Sequence, residues 1–425
     1  MKLILKNIGM LKEAEVSLDP LCLIAGVNDN GKSTIGKVVF CIIKAINRYK
    51  EDLKVSKDHE IKKLIADAYF ELRPLTEDRD TSFSWFDFRI ILMNDNELKD
   101  SVPIFRQFLL KLKEIPALDK SVLNIIQDIE SRLKLLLEQP EDTKRFIENA
   151  FTRVFAAEFD SQVLLSGAQG GFIQVWENDL QLINLNIDRN NKVTLNGEIE
   201  PIVIRDATFI ETPLILNFHD LLISSQTQLE LHNVRALGIP YTTLHTKDLF
   251  DKLRVPVLPS ESRNEELLSQ IRTIVDGDLQ YDKSQSNFVF KRASENISIK
   301  NTASGIKVFG LLQILLANEF ITKNTLVVFD EPENHLHPKW QLKLAEVLVE
   351  LVSQGVYIIV SSHSPYMIEA LERYSALKGL EGSCSFYLAE NNKVENKSQL
   401  PEIFALLSEP FDEFRQLDAK VLHDE

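Results

Sequence analysis

The chain has 425 residues, of which 63 are acidic and 48 basic, and its formal net charge is −15. That balance disfavours indiscriminate binding to nucleic acid and favours a protein partner, although a local basic groove remains compatible with it. No apolar run approaches the ~18 residues of a membrane span, and the N-terminus lacks a signal-peptide pattern. Three cysteines without paired or metal-type spacing predict buried thiols and a reduced, cytoplasmic setting: Cys22, Cys41 and Cys384.

The first fifty residues have the pattern of two strands that lead into a third. Apolar and polar residues alternate over Lys2–Ile8 and Glu13–Leu18, which predicts two short strands. Leu21–Ala25 is an apolar run short enough for a buried strand. The next residues, Gly26–Ser33, fit the pattern G-x-x-x-x-G-K-[ST], and apolar residues at helical spacing follow them. Strand, glycine-rich turn and helix are the context expected of a phosphate-binding loop.

The specified positions of this loop suit a triphosphate. Its glycines let successive backbone N–H groups face one concavity, and the helix that starts at Gly31 adds free amides and a positive dipole end. Lys32 can reach the β- and γ-phosphates, and the Ser33 hydroxyl can ligate Mg²⁺. An ordinary glycine turn that caps a helix is the weaker alternative. We therefore predict that a nucleoside triphosphate and Mg²⁺ are held by Gly26, Asn28, Asn30, Gly31, Lys32, Ser33 and Thr34.

Residues 50–160 have the spacing of a helical insertion. The aromatic segment Ser82–Met93 within it fits either a strand or a helix edge. Pro116 and Pro140 limit the helices to a few turns, which is too short for a long coiled-coil arm.

Residues 161–216 are β-rich, with turns expected at Gly170-Gly171 and Asn190-Asn191. Residues 217–300 return to a helical pattern and predict a helical subdomain.

The last third of the chain alternates strand and helix. Thr325–Glu331 is an apolar strand that ends in two carboxylates, a helix follows from Pro338, and Val356–Val360 is a second buried strand. Such alternation predicts an α/β fold with a parallel sheet and with ligands at the carboxyl ends of its strands. Residues 1–49 and 301–390 would form the core, and residues 391–425 an acidic tail.

The side chains at the ends of these two strands complete a hydrolytic site. At the end of a buried strand, Asp330 would hold Mg²⁺ opposite Ser33, and Glu331 would orient and activate the attacking water as the catalytic base. His363 follows the next strand and would lie near the γ-phosphate. A histidine in that place is most often an ordinary capped residue, but beside these motifs a phosphate-sensing role is the better interpretation.

Three further patterns are weaker. Ser304 and Gly305 precede an apolar helix and form a second anion site, which a two-fold axis would bring to the phosphate-binding loop of another copy. The pair His335 and His337 could chelate a metal, but a structured turn is favoured because nothing else nearby has zinc-ligand spacing. Asp276-Gly277-Asp278 is interpreted as a loop rather than a nuclease D-x-D.

These residues resemble an ABC-type ATPase of the branch that holds RecF, the OLD family and the SMC heads, of the AAA-15 or AAA-21 type. GVNDNGKST resembles its Walker A motif, TASGIK its signature loop, VVFDEPENHLHP its Walker B motif with D-loop, and IIVSSHSP its switch-histidine strand. The opening LKNIGMLKEAEVSL is similar to its first hairpin. The expected fold is an ABC-ATPase head, a mixed sheet with a parallel core and with helical and antiparallel β insertions.

The resemblance implies a head-to-head homodimer with two ATP molecules at the interface. Lys32 and Ser33 of one copy and Ser304 and Gly305 of the other would enclose each nucleotide. The turn Asn334–His337 would communicate across the dimer. Gln107 and Gln162 are candidates for the Q-loop glutamine of the family, and the sequence does not decide between them.

Two differences from the family pattern narrow the range of expected functions. Ile306 and Lys307 replace the second glycine and the glutamine of the transporter signature, which disfavours a transport subunit. Only 62 residues follow His363 (425 − 363), too few for the nuclease domain of OLD proteins. The chain is therefore similar to the ATPase subunits of Septu, PARIS and retron antiviral systems, which control a separate effector nuclease. A RecF-like DNA-binding repair ATPase is the alternative.

Overall fold

The computed structural model describes residues 1–76, 98–115, 119–138, 143–227, 241–255, 264–284 and 287–396, together with residues 401, 403, 404 and 407. The aromatic segment Ser82–Met93 and most of the acidic tail lie outside these described residues. The chain divides into two compact units. One comprises Met1–Asn47 with Ile147–Glu425, and the other comprises Arg48–Phe146.

The smaller unit, Arg48–Phe146, is helical over most of its described residues. It contains the C-terminal part of helix α1 (Lys32–Thr76), helices α2 (Leu98–Lys113) and α3 (Lys120–Glu138), and the first residues of helix α4 (Thr143–Glu158). Helix α2 ends before Pro116 and helix α3 before Pro140, the two positions where the sequence predicts a break. Apolar side chains at helical spacing form the core of this unit, among them the fully buried Leu72, Phe105, Phe108 and Ile126.

The larger unit is built on β-sheets. The described strands are, in chain order, β1 (Lys2–Ile8), β2 (Leu11–Ser17), β3 (Leu21–Ala25), β4 (Gly170–Glu177), β5 (Leu180–Asp188), β6 (Val193–Leu195), β7 (Asp206–Ile210), β8 (Asp278–Asp282), β9 (Asn287–Arg292), β10 (Glu295–Ser298), β11 (Thr325–Asp330), β12 (Tyr357–Ser362), β13 (Cys384–Glu390) and β14 (Lys393–Asn396). Eleven of these form one sheet, in the order β6-β5-β4-β1-β2-β14-β13-β3-β12-β11-β7.

That sheet is mixed. Strands β6, β5, β4, β1 and β2 are antiparallel neighbours, whereas β13, β3, β12, β11 and β7 run parallel. The predicted α/β class with a parallel core is confirmed. Strands β8, β9 and β10 form a separate antiparallel sheet.

The register of the parallel strands brings their carboxyl ends to one edge. Ser362 pairs with Ala25, and Asp330 pairs with Ser361. Because Ala25 immediately precedes the glycine-rich loop, that loop, Asp330 and the residues after Ser362 meet at this edge of the sheet.

Six further described helices belong to the larger unit: α5 (His219–Leu222), α6 (Leu244–Leu253), α7 (Glu265–Val275), α8 (Ser304–Ala317), α9 (Pro338–Ser353) and α10 (Pro365–Leu377). Short 3₁₀ helices occupy Pro213–Phe218, Ile299–Asn301, Pro332–His335 and Glu381–Ser383. Every residue of α8 from Val308 to Leu316 is buried. A helix that is apolar on all sides belongs in the core rather than at a surface.

A four-charge cluster fixes the helix after the glycine-rich loop to the edge of the sheet. The Lys44 amine on α1 lies 2.6 Å from Asp206 Oδ1 on β7 and 2.7 Å from Asp248 Oδ1 on α6. The Lys252 amine on α6 lies 2.7 Å from Asp206 Oδ2. The buried Lys252 and the three partly buried charges are thereby paired, as charges removed from water require.

Three expectations were wrong in detail. Gly170-Gly171 is the start of β4 and not a turn. A glycine is needed at position 171 because a Cβ there would lie 2.6 Å from the Lys6 carbonyl oxygen on the neighbouring strand β1. Residues 217–300 are not purely helical, since they contain the sheet β8–β10. Cys22 and Cys41 are buried as expected, but Cys384 is only partly buried.

Candidate active site

The glycine-rich loop joins β3 to the N-terminus of α1, and its two glycines are required by close contacts. Gly26 has φ +145° and a Cβ there would lie 2.4 Å from the Ala389 carbonyl oxygen, while Gly31 has φ +83° and its Cβ would lie 2.6 Å from Leu11 Cδ2. Since both the backbone conformation and the space exclude side chains, the loop keeps its tight path over the helix N-terminus.

Lys32 is held across this loop with its side chain only 3% exposed. Its amine donates to the Val27 carbonyl oxygen at 3.0 Å and to Asn28 Oδ1 at 3.5 Å, and it lies 3.1 Å from Glu331 Oε1. The positive charge therefore stands between the loop and the end of strand β11. A phosphate entering the loop would compete with Glu331 for this ammonium group.

Ser33 and Asp330 meet as the motif spacing predicts. The Ser33 hydroxyl donates to Asp330 Oδ1 at 2.9 Å, and the Ser361 hydroxyl donates to the same oxygen. Burial raises the pKa of Asp330 above its usual value, and the charges of Glu211 and Glu331 add to this, against the two serine hydrogen bonds. A cation bound to this carboxylate would stabilise its charged form.

These oxygens fit Mg²⁺, which prefers hard oxygen ligands and keeps several places for water and phosphate. Among the described residues, no group of three His, Cys, Asp or Glu side chains could hold a metal ion without other ligands. A cation at Asp330 and Ser33 must therefore complete its coordination with other oxygens, which is how Mg²⁺ is bound together with nucleotide phosphates.

Glu331 follows Asp330 in a left-handed backbone conformation, φ 48° and ψ 54°. Its N–H donates to the Ser361 carbonyl at 2.9 Å, and its Oε2 accepts from Asn334 Nδ2 at 3.0 Å. Burial raises the pKa of Glu331, but the Asn334 hydrogen bond and the Lys32 charge lower it by more, so it lies below its usual value. The side chain is thus an ionised carboxylate at neutral pH, as a general base must be.

His363, the first residue after β12, joins the same group. Its Nδ1 lies 3.5 Å from Glu331 Oε1, and its side chain is 37% exposed. Lys32, Ser33, Asp330, Glu331 and His363 are therefore brought together at one edge of the sheet.

A family profile whose description is "AAA ATPase domain", AAA_15, matches residues 1–368. The chain belongs to this family. It is an ATPase.

Three individual proteins are similar to this AAA_15 ATPase. The UvrABC system protein A of Aquifex aeolicus (strain VF5) is 27% identical over 161 residues, which is 36% of this chain and 17% of that protein. An SMC head bound to the C-winged helix domain of ScpA has 13% identity and a TM-score of 0.40, covering 95% of this chain and 98% of that one. The SMC head domain from Thermotoga maritima has 12% identity and a TM-score of 0.38, covering 93% and 97%. No described helix of the AAA_15 chain is long and apolar enough to cross a membrane.

The remaining loop residues of the AAA_15 site have local partners. Asn30 Nδ2 donates to the Val27 carbonyl at 3.4 Å. Thr34 packs against Gly9, where an added Cβ would lie 2.8 Å from Thr34 Cγ2. Ser33 and Thr34 also line a cavity of about 700 Å³ whose wall includes Gln162. Gln107 belongs to the smaller unit.

Ser304 and Gly305, the predicted signature residues of the AAA_15 chain, have neighbours outside the glycine-rich loop. The Ser304 hydroxyl donates to the His335 carbonyl at 3.2 Å, and a Cβ at Gly305 would lie 2.7 Å from Trp340 Cε3. Among the hydrogen bonds and ion pairs of the described residues, none joins Ser304 or Gly305 to the glycine-rich loop.

The two weaker metal patterns are structural. His337 Nδ1 accepts from the Lys339 N–H at 3.3 Å and caps helix α9, and His335 Nε2 lies 3.4 Å from Thr212 Oγ1. Asp276 caps α7 in a left-handed conformation, φ 54°. Each pattern is a turn, as favoured from the sequence.

Sequence reasoning missed a network next to the site, in which Glu158 and His245 are buried and Glu211 is exposed. Glu211 follows β7, the strand beside β11, and its Oε2 lies 3.1 Å from His245 Nε2, while Glu158 Oε1 lies 2.7 Å from His245 Nδ1. Burial lowers the pKa of His245, but hydrogen bonds to Glu158 and Glu211 raise it to about 9. The three residues are far apart in sequence and match no motif, so no local signal could have found them.

Proposed function

We propose that this ATPase is a dimeric switch that binds and hydrolyses ATP and controls a separately encoded effector protein. Lys32 and the loop amides bind the phosphates, Ser33 and Asp330 hold Mg²⁺, Glu331 is the catalytic base and His363 contacts the γ-phosphate. Ser304 and Gly305 of a second copy close the site.

The chemistry follows from the contact between Lys32 and Glu331. The ammonium group pairs with the proposed base at 3.1 Å. A bound triphosphate attracts the ammonium group, because it offers more negative charge than one carboxylate. Glu331 is then free to accept the proton of the attacking water. Mg²⁺ would neutralise the phosphate charge that develops in the transition state. Hydrolysis is thus coupled to correct seating of the phosphates.

The observation that supports the dimer is that the two anion sites have different hydrogen-bond neighbours. Five catalytic and binding side chains gather at the sheet edge, whereas Ser304 bonds to His335 at the N-terminus of α8. A single triphosphate seldom uses two helix N-termini of one chain, but a two-fold axis places one of each at both interface sites. The nucleotide then binds the closed dimer better than the separate copies, so it shifts the population toward closure.

The proposal also includes a separate effector protein. The net charge of −15 favours a protein partner over a polyanion. The resemblance to the ATPase subunits of antiviral systems favours a nuclease as that partner, by analogy of family rather than by site chemistry.

Light scattering of the purified chain tests the switch. We expect Glu331→Gln to be monomeric without nucleotide and dimeric with ATP and Mg²⁺, and Ser304→Arg to stay monomeric in both conditions. Lys339→Ala, on the exposed start of α9, is the control and should behave as the wild type. A Glu331→Gln variant that binds ATP yet never changes mass contradicts the switch.

The proposed interaction with an effector protein is tested by a separate experiment. The tagged chain, isolated from its native host with and without ATP, should retain a specific second protein in one nucleotide state. ATP-dependent binding to duplex DNA with a steep salt dependence, and no retained protein, would support the repair alternative instead.

A further inference from the structure

Glu333 is a buried acid that the proposed chemistry does not use. It lies in the 3₁₀ helix Pro332–His335, two positions after Glu331, and its side chain is only 3% exposed. Burying a carboxylate is costly unless several donors satisfy it, so its position calls for a physical account.

One oxygen of Glu333 organises the backbone around the switch histidine. Glu333 Oε1 accepts from the Ser362 hydroxyl at 2.7 Å, from the His363 N–H at 2.7 Å and from the Ser364 N–H at 3.2 Å. These donors belong to three consecutive residues at the end of β12. Hydrogen bonds to a charged acceptor are about twice as strong as neutral ones, so this single oxygen fixes the chain on both sides of His363.

The imidazole lies beside the same carboxylate. His363 Nδ1 lies 3.4 Å from Glu333 Oε1 and 3.5 Å from Glu331 Oε1. Both His363 Nδ1 and Glu333 Oε2 are buried and have no hydrogen-bond partner among the described residues. Orphaned buried groups are rare, and His363 Nδ1 is close enough to the Glu333 carboxylate to become its partner. With both ring nitrogens protonated, a small rotation would let Nδ1–H donate to Glu333 and Nε2–H donate to a phosphate oxygen.

We propose that Glu333 is a positioning residue that holds His363 against the catalytic base and presents its Nε2 to the nucleotide. The inference rests on the proposed function, in which His363 contacts the γ-phosphate. It also joins two loops: movement of the Walker B turn shifts Glu333, and Glu333 shifts the histidine. The closure signal thereby passes between strands β11 and β12.

A double-mutant cycle on ATP hydrolysis tests this. Glu333→Ala should lower kcat on the order of 10²-fold while the KM for ATP changes little, because a misplaced group near the chemistry costs rate rather than binding. In a His363→Ala background the same substitution should change kcat by less than about twofold. Glu333→Gln keeps an oxygen acceptor for all three donors and should retain most of the wild-type kcat. Glu369→Ala, an exposed glutamate on α10, is the matched control.

Each result has a definite consequence. A Glu333→Ala loss that persists undiminished in the His363→Ala background, or a Glu333→Gln loss as large as that of Glu333→Ala, overturns the positioning role. Should Glu333→Ala fail to fold, the Glu333→Gln variant and its own cycle decide. If His363→Ala hydrolyses ATP like the wild type while Glu331→Gln is inactive, the histidine and this inference fail but the proposed ATPase site stands.

Discussion

The Lys32 ammonium group and the Glu331 carboxylate form an ion pair of 3.1 Å across the active site. This pair joins the glycine-rich loop to the end of strand β11, and the Lys32 side chain is only 3% exposed. In the proposed mechanism, Lys32 pairs with the base until it contacts phosphate. The base would then be released only when the nucleotide is seated.

Replacing Glu331 should separate binding from hydrolysis. We expect Glu331→Gln to lower kcat by ~10²–10⁴-fold, because general-base assistance is lost. Its affinity for ATP should be equal to or higher than that of the wild type, since Lys32 loses a competing carboxylate. Phosphate release and titration with a fluorescent ATP analogue measure the two quantities. Asn334→Ala, which removes only a hydrogen bond to Glu331, should show a smaller loss of rate.

Replacing Asp330 should remove the effect of Mg²⁺ on nucleotide binding. In the wild type, Mg²⁺ should tighten ATP binding relative to EDTA, because the cation bridges Asp330, Ser33 and the phosphates. In Asp330→Asn this gain should fall on the order of tenfold or more, while the affinity in EDTA stays near that of the wild type. Calorimetric titration in both buffers measures it. An unchanged Mg²⁺ effect would remove Asp330 from the metal site.

The motifs could be predicted from the sequence because each is formed by residues that are close together in the chain. The loop Gly26–Ser33 and the pair Asp330 and Glu331 each lie at the end of an apolar strand, so the sequence predicts both the residues and their common edge. His363 is predictable for the same reason. The ion pair between Lys32 and Glu331 is not, because it depends on how two distant loops face each other.

What the sequence could not predict depends on long-range packing. In the sequence, Glu333 looks like an ordinary acidic residue in a polar turn. Only the fold shows that it is buried beneath Ser362–Ser364. His245 and Glu158 are 87 positions apart. Gly171 looks like a turn glycine until the backbone of β1 is placed against it. In each of these cases the deciding neighbour is remote in the chain.

His245 makes stability depend on pH. Its folded pKa of about 9 exceeds the value of ~6.5 expected for an unfolded chain. Its contribution is therefore complete below pH ~6.5, declines above it and is lost as pH rises through about 9. The difference corresponds to roughly 3 kcal/mol of unfolding free energy.

Urea unfolding at several pH values checks this contribution. Wild type should lose more stability between pH ~6.5 and ~9 than His245→Gln, in which no imidazole titrates between Glu158 and Glu211. His337→Gln, at the exposed cap of α9, should keep the wild-type slope. Equal slopes in His245→Gln and wild type would contradict the assignment.

The four-charge cluster predicts a large loss of stability for a single change. Lys252→Ala leaves the partly buried Asp206 and Asp248 with one cation instead of two. We expect the unfolding free energy to fall by up to about 3–5 kcal/mol, the usual cost of breaking a buried ion pair. Lys343→Ala removes an exposed pair with Glu346 and should cost less than about 1 kcal/mol. Denaturant midpoints of the two variants make the comparison.

Mixing two inactive variants tests the shared site most directly. Lys32→Ala lacks a working phosphate-binding loop but keeps Ser304 and Gly305, whereas Ser304→Arg has the opposite defect. In a mixed dimer, one of the two interface sites combines the intact halves. An equimolar mixture should therefore regain ATP hydrolysis, up to about a quarter of the wild-type rate, because about half of the dimers are mixed and each has one intact site. A mixture whose rate equals the sum of the two separate proteins, at an ATP concentration that saturates Ser304→Arg, would contradict a site built from two copies of the chain.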